Sequence, residues 1–281
     1  MPELPEVETM RRGVLPVVGA RITGICRLTG RLCPITVSPG VSVFQRRVVG
    51  TRIQEVDRLG KRLLMWLDTD QAIVFEPRMT GLILLADPPS QEHLRFRVDL
   101  QGKRIRQLWY WDRRGLGSVR LLSRRQVEQQ LGPSRLGPDA LEVDAEQLRA
   151  RLARRRTPVK VALLDQSALA GVGNLYASEI LHVACIHPQV RCDRLTREQW
   201  QRLAGSMSAV LEEAIRYEGS TLADGTYRTV LNNPGGYQNR HRVYDRAGEL
   251  CPRCGKTIIQ RIVQAQRCTF FCPTCQKRRA R

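Results

Sequence analysis

The chain has 281 residues, enough for two modest domains with a buried core. It carries 46 Lys and Arg against 27 Asp and Glu, a formal net charge of +19, and so basic a chain points to a polyanionic partner. No apolar run approaches the roughly 20 residues that span a bilayer, and Glu3, Glu6 and Glu8 occupy the stretch where a signal peptide would carry positive charge. These features argue against a membrane, predict cytoplasmic residence and favour nucleic acid as the partner.

Residues 2 to about 12 read as a helix that ends in the Gly13 region. If Met1 is removed, which the small Pro2 favours, the chain begins with a secondary amine. An α-amino group has a reference pKa of about 7.7–8.0, so near neutrality a sizeable fraction is an unprotonated nucleophile. Its attack on an aldehyde-like carbon gives an electron-withdrawing iminium. Glu3 and Glu6 are spaced one turn apart, which offers two carboxylates to move protons beside that nucleophile. The same residues also make an ordinary helix start, because proline and acids both suit a helix N-terminus.

Strands are predicted over 20–28, 51–57, 62–67 and 72–75. Leu94, Phe96, Val98 and Leu100 alternate with polar residues, the period of a half-buried strand. Gln101-Gly102 predicts a hairpin turn into a strand over 105–111. Many short strands suggest a sandwich or a barrel. Lys61 follows a Leu-Gly turn; it reads either as a hairpin lysine or as a cation that holds a phosphate. Met79, in Arg78-Met-Thr-Gly81, is either core filler or a wedge for a base stack.

Ser123 to Leu131 reads as a helix, and the breaker-rich Leu131-Gly-Pro-Ser-Arg-Leu-Gly-Pro138 as a connector. The expected division is 1–131, a linker over 132–143, a helical domain over 144–240, and 241–281. Thr196 and Gln199 form a capping box that opens a helix to about Tyr217. Gly171-Val-Gly-Asn174 precedes a helix and is either a plain turn or a phosphate site. Tyr176 stands where a dinucleotide motif needs a third glycine. The basic run from Arg149 to Lys160 favours the phosphate reading, although such a run is also an ordinary solvated face. A loop rich in Gly, Asn and Pro spans about 219–240.

Of nine cysteines, Cys251, Cys254, Cys272 and Cys275 form two Cys-x-x-Cys knuckles separated by 17 residues. This spacing fits one structural Zn2+ in a closed tetrathiolate site; a redox dithiol pair is the other reading. So short a segment cannot build its own core, and the metal would supply folding energy. Residues 257–263 and 266–271 predict a hairpin between the knuckles, from which Arg261 and Arg267 would project toward phosphates. Cys26, Cys33, Cys185, Cys192 and Cys268 read as ordinary buried thiols. A basic tail, Gln276-Lys-Arg-Arg-Ala-Arg281, closes the chain.

Taken as a set, these motifs resemble the formamidopyrimidine-DNA glycosylase family (Fpg/Nei) of bifunctional DNA glycosylase/AP lyases. The resemblance runs through Pro2-Glu-Leu-Pro-Glu-Val-Glu-Thr9, Gly60-Lys61, Arg78-Met-Thr-Gly81, Asp112-Arg-Arg114, Leu131-Gly-Pro133, Leu163-Leu-Asp-Gln166, Ala170 to Glu179, Val243-Tyr244 and the cysteine module. The opening pentapeptide favours the formamidopyrimidine branch over the endonuclease VIII branch. The resemblance implies a multidomain α+β fold. A helix would lie on a two-sheet β-sandwich, followed by a helix-two-turns-helix domain with a lesion-capping loop and a β-hairpin zinc finger. It also implies a nucleoid-associated monomer in base excision repair, acting on double-stranded DNA with oxidised bases or abasic sites.

The implied mechanism flips the damaged base out of the duplex. Pro2 attacks the deoxyribose C1′, a Schiff base forms, and β,δ-elimination cuts the strand. Glu3 would be the general acid and Glu6 would stabilise the charged sugar. Lys61, Asn174, Arg267 and Lys160 would hold phosphates, while Met79 and Arg114 would fill the gap left by the flipped base. The chain also departs from the family pattern. Asp-Pro-Arg-Arg-Phe-Gly becomes Asp112-Arg-Arg-Gly-Leu-Gly117, so Leu116 replaces the phenylalanine wedge and Gly115 the second arginine. Ala223 stands where a basic residue is common, and the finger is one residue longer. The expected substrates are 8-oxoguanine and formamidopyrimidines; other oxidised bases, or non-catalytic binding of damaged DNA, are the alternatives.

Overall fold

The computed structural model describes residues 1–28 and 34–278. Cys33 and the last three residues of the basic tail lie outside the described residues. The chain divides into two compact units, one of residues 1–132 with 217–238, the other of 133–216 with 239–281. The loop that the sequence reading assigns to the helical domain, at 219–240, therefore belongs almost wholly to the first unit.

The first unit opens with α1 (Leu4–Val14), β1 (Arg21–Arg27), β2 (Thr36–Ser38) and α2 (Val41–Val48). It continues with β3 (Ile53–Leu59), β4 (Arg62–Leu67), β5 (Gln71–Glu76), β6 (Gly81–Leu84), β7 (Leu94–Gln101), β8 (Gln107–Asp112), β9 (Ser118–Ser123) and α3 (Arg124–Leu131). The strands form two open sheets, ordered β1-β7-β8-β6 and β2-β9-β5-β4-β3. Only the β2–β9 pairing is parallel among the described strands. One core joins both sheets to α1 through Val7, Met10 and Val14 on the helix, Ile73 and Phe75 on β5, and Phe96 and Tyr110 on β7 and β8. Leu94, Phe96, Val98 and Leu100 are all buried as the alternation predicts, but Arg95 between the first two is buried too, its Nε donating to the Asp112 carbonyl at 2.9 Å.

Two local features add to the expectations. Helix α1 ends in the Gly13 region as read, at Val14, and tightens into a 3-10 turn over Leu15–Val17. A Cβ at Gly13 would run into Val230 of the 217–238 loop, so this glycine serves close packing. Helix α2, absent from the sequence reading, buries Phe44 and Val48 without any side-chain cap.

The second unit holds α4 (Ala145–Leu152), α5 (Val159–Leu163), α6 (Asn174–Val183) and α7 (Arg197–Arg216), then the hairpin β10 (Gln260–Gln264) and β11 (Arg267–Phe271). The capping box at α7 forms as read: Thr196 N–H donates to Gln199 Oε1 at 2.9 Å, and Gln199 N–H to Thr196 Oγ1 at 3.3 Å. The hairpin is antiparallel and in register, with Gln264 opposite Arg267. Among the described residues no helix is long and apolar enough to cross a membrane.

Candidate active site and metal centre

In the first unit, Pro2, Glu3 and Glu6 are all buried at the start of α1. Pro5, in the first turn, needs no N–H partner, and the turn closes through Glu6: its Oε2 accepts from the Glu3 N–H at 2.8 Å. The other oxygen, Oε1, accepts from the Ser220 N–H at 2.9 Å. One carboxylate thus fixes both the backbone that carries Pro2 and the returning 217–238 loop. Gly219, at φ +78°, makes this approach possible, since a Cβ there would strike Glu6 and Tyr227. The Tyr227 phenol, raised well above its usual range first by burial and then by the Glu6 charge, stays protonated. Asp224 on the same loop feels the terminal amine. Burial works to raise its carboxyl, but Thr226 hydrogen bonds and the charges of the terminal amine and Arg113 lower it overall.

Glu8 ties α1 to the turn that carries Lys61. Its carboxylate accepts from Arg11 at 2.8 and 2.9 Å, Arg12 at 2.8 Å and Arg58 at 3.1 Å. Arg58 also donates to the Gly60 carbonyl at 3.0 Å. Burial alone would raise the Glu8 carboxyl, yet the Arg11, Arg12 and Arg58 hydrogen bonds and the Arg11 charge bring it down to about 2. Lys61 is half-buried at the tip of the β3–β4 hairpin.

Met79, Arg114 and Leu116 are exposed on two neighbouring turns. The fully buried Asp112 organises both. Its Oδ1 accepts from the Thr80 hydroxyl and from the Arg114 N–H at 3.2 Å, and its Oδ2 from the Gly117 N–H at 2.8 Å. The Arg114 N–H also reaches Thr80 Oγ1 at 3.0 Å. Gly115 lies at φ +63°, a conformation that side-chain-bearing residues adopt only with strain. The departure from arginine at this position therefore goes with a left-handed turn that aims Leu116 outward.

In the second unit, the Gly171-Val-Gly173 turn is pinned by Gln166, whose side chain donates to the Val172 carbonyl at 2.9 Å and accepts from the Gly171 N–H at 3.0 Å. Gly173 is the N-cap of α6, so Asn174 opens that helix, where N–H groups point outward. Lys160 does not face solvent. It is fully buried, and its Nζ donates to Asn174 Oδ1 at 2.6 Å, Thr269 Oγ1 at 2.6 Å and the Cys268 carbonyl at 3.0 Å. Where the sequence predicts a phosphate contact for Lys160, the structure sets its ammonium on neutral acceptors, bracing α5, α6 and β11 together. Because Asn174 accepts through Oδ1, its amide N–H groups remain the donors on its half-exposed side. Arg267 is exposed at the start of β11, whereas Arg261 directs Nε and Nη2 onto Cys268 Sγ at 3.2 and 2.9 Å.

Glu179, which the sequence reading assigned no role, is buried on α6 and accepts the N–H groups of Arg242, Val243 and Tyr244 at 2.8–3.1 Å. Burial raises its carboxyl, opposed by those N–H groups and by Arg242. The segment leading into the finger is thereby fastened to α6. Neither Glu179 nor Asp112 could be ranked from the sequence, because a lone acid does not announce that it is buried.

The four sulfurs of Cys251, Cys254, Cys272 and Cys275 lie within 4.8 Å of one another. Two of the separations are 3.9 Å and 3.8 Å. A zinc tetrahedron with bonds of about 2.3 Å needs sulfurs about 3.8 Å apart, so the set fits one Zn2+ with no position left open. Of the remaining described thiols only Cys192 is buried, which pushes its pKa up to about 11. Cys26, Cys185 and Cys268 are half-buried, contrary to expectation. His182, also unremarked in the sequence, is buried in the last turn of α6 with Nε2 3.4 Å from Cys251 Sγ.

Residues 1–119 match the formamidopyrimidine-DNA glycosylase N-terminal domain, 136–225 the H2TH domain of the same glycosylases, and 248–278 a zinc finger found in FPG and IleRS. The formamidopyrimidine-DNA glycosylase of Chloroflexus aurantiacus is 42% identical over 279 residues, covering 98% of each chain. The crystal structure of the MutM (Fpg) protein of Thermus thermophilus superposes with a TM-score of 0.85 at 38% identity, over 98% of both chains. Lactococcus lactis Fpg in complex with DNA containing an abasic site gives 0.87 at 33% identity, over 98% of this chain and 100% of that one.

Proposed function

Because the chain belongs to the formamidopyrimidine-DNA glycosylase family, we propose that it excises oxidised purines from duplex DNA and cuts the strand through a Schiff base on Pro2. The observation that carries this reading is the Glu6 carboxylate, which holds the Glu3 and Ser220 N–H groups and so preorganises the amine-bearing end of α1. With Met1 present the Pro2 nitrogen is a tertiary amide and cannot attack; its removal creates the nucleophile. The amine bonds to C1′ as the glycosidic bond breaks, its proton passing to the departing base; Glu3 then protonates O4′, the C1′–O4′ bond opens and the iminium forms. The iminium acidifies the 2′ C–H, so loss of that proton expels the 3′ phosphate and a second elimination the 5′ phosphate. Glu6 offsets the positive iminium in a water-poor site. Lys61, Asn174 and Arg267 hold phosphates, and Met79, Arg114 and Leu116 occupy the space the flipped nucleotide leaves. The zinc folds the finger that carries Arg267.

The expected substrates are formamidopyrimidines and 8-oxoguanine. Borohydride trapping on duplexes bearing each lesion, or an abasic site, tests the assignment. Protein that has lost Met1 should give an adduct that maps to Pro2, and protein that retains Met1 should give none. Equal trapping by both forms would refute the assignment of Pro2 as nucleophile.

A further inference from the structure

His182 sits where a hydrogen bond to a metal-bound thiolate would form. Its Nε2 is 3.4 Å from Cys251 Sγ, and the residue is 2% exposed. Its Nδ1 is buried with no partner among the described residues. It lines a small cavity with Val183, Arg242, Pro252 and Arg253. Two tautomers are available. A proton on Nδ1 would leave a buried N–H without an acceptor, in a neighbourhood whose guanidinium groups offer only donors. A zinc-bound thiolate is purely an acceptor, so a proton on Nε2 finds a partner. Orphaned N–H groups are rarer than under-satisfied acceptors, and both considerations select the Nε2–H tautomer.

We propose that His182 is a positioning residue of the zinc site, donating its Nε2–H to the Cys251 thiolate and thereby retaining the metal. Four thiolates around Zn2+ leave an excess charge of −2. A donor aimed at one sulfur withdraws part of that charge and opposes its protonation or attack by other metals and electrophiles. A second side chain strengthens the tie: Arg253, between the two cysteines of the first knuckle, donates its Nη1 to the backbone carbonyls of His182 at 3.4 Å and Val183 at 3.1 Å. The C-terminal turn of α6 thus meets the first knuckle through both its side chain and its carbonyls. Asn174 opens the same helix, so loss of zinc reaches the phosphate-facing turn through α6.

The test compares zinc-loaded full-length wild type, His182→Leu and His182→Gln. Zinc release to a chromogenic chelator should be about tenfold faster or more in His182→Leu. His182→Gln, whose amide nitrogen falls near the Nε2 position, should restore slow release. In the Co2+-substituted proteins the sulfur-to-cobalt absorption should move to lower energy in His182→Leu and return in His182→Gln, a shift that packing alone would not produce. Unchanged release from His182→Leu, or release from His182→Gln as fast as from His182→Leu, would overturn the proposal. If His182→Leu fails to fold, the 15N-histidine spectrum of zinc-loaded wild type decides. An Nε2–H tautomer for His182 supports the hydrogen bond, and an Nδ1–H tautomer refutes it.

Discussion

Replacing Lys160 by methionine separates two roles that a basic residue in a DNA-handling chain can have. Methionine keeps the length and apolar body of the side chain and removes only the ammonium. Three acceptors lose their donor: Asn174 Oδ1, Thr269 Oγ1 and the Cys268 carbonyl. Hydrogen bonds to a charged group are worth about 1.5–3 kcal/mol each. Part of that loss is returned because no charge then has to be buried. The net expectation is a destabilisation of about 2–4 kcal/mol, read by hydrogen exchange of the α5 and α6 amides in the zinc-loaded protein. Binding of an abasic-site duplex, followed across a salt series, gives the second readout. A lysine that touches a phosphate contributes about 0.9 to the slope of log K against log salt. Buried Lys160 should contribute nothing, so Lys160→Met should weaken binding through a loosened Asn174 and leave the slope unchanged. Stability within about 0.5 kcal/mol of wild type, together with a slope reduced by about one, would show that Lys160 meets a phosphate after all.

Three further outcomes are expected. Asp112→Asn places an amide donor among the N–H groups of Arg114 and Gly117 and should cost about 1–3 kcal/mol in thermal unfolding; it should also slow base excision more than cleavage at a preformed abasic site. Glu8 has a folded pKa of about 2 against an ordinary 4.5, so its contribution is complete above pH 4.5 and is lost as pH falls toward 2. The stability difference between wild type and Glu8→Gln in urea titrations should shrink over that window, and a constant difference would refute the Arg11–Arg12–Arg58 clamp. Leu116→Phe adds an aromatic face to an exposed side chain and, on the proposed wedge role, should tighten binding to an abasic duplex, relative to an undamaged one, by about 1 kcal/mol, with Leu116→Ala moving the opposite way in fluorescence anisotropy.

Much of this architecture is legible locally. The start of α7 is readable because Thr196 and Gln199 satisfy one another's N–H groups within four residues. The zinc centre is readable because thiolate spacing is set by the metal, and β7 because its apolar residues recur at every second position. What escapes the sequence depends on distant partners. Helix α2 has no capping side chain. Loop 217–238 joins the first unit through Glu6 and Ser220, which are 214 residues apart, and no local signal separates it from the helices it follows. Within the basic run from Arg149 to Lys160 nothing tells which cation turns inward. Only the acceptors on α6 and β11 decide it.

Burial then sorts the motif residues by what they do. Glu6, Asp112, Lys160 and Glu179 are ionisable and almost wholly inaccessible, and each is met by backbone N–H groups or neutral acceptors. Such groups are costly to bury without those partners, so they act as anchors that hold turns in place. Met79, Leu116 and Arg267 are exposed on the turns so held. The departures from the family pattern fall on the second class. Leu116 and Ala223 are exposed, Gly115 sits at the turn that presents Leu116, and the anchors beneath them are intact. Changes at such tips should alter what is touched without moving Pro2, because the carboxylates that set the backbone of Pro2 and of the two turns lie below them. Lesion preference in this chain is therefore expected to vary independently of its lyase chemistry. Exchanging Gly115, Leu116 and Ala223 together for Arg, Phe and Lys should change the ranking of lesions excised while leaving the rate of cleavage at an abasic site within a few-fold of wild type. A matching loss of abasic cleavage would show that tips and anchors are not separable.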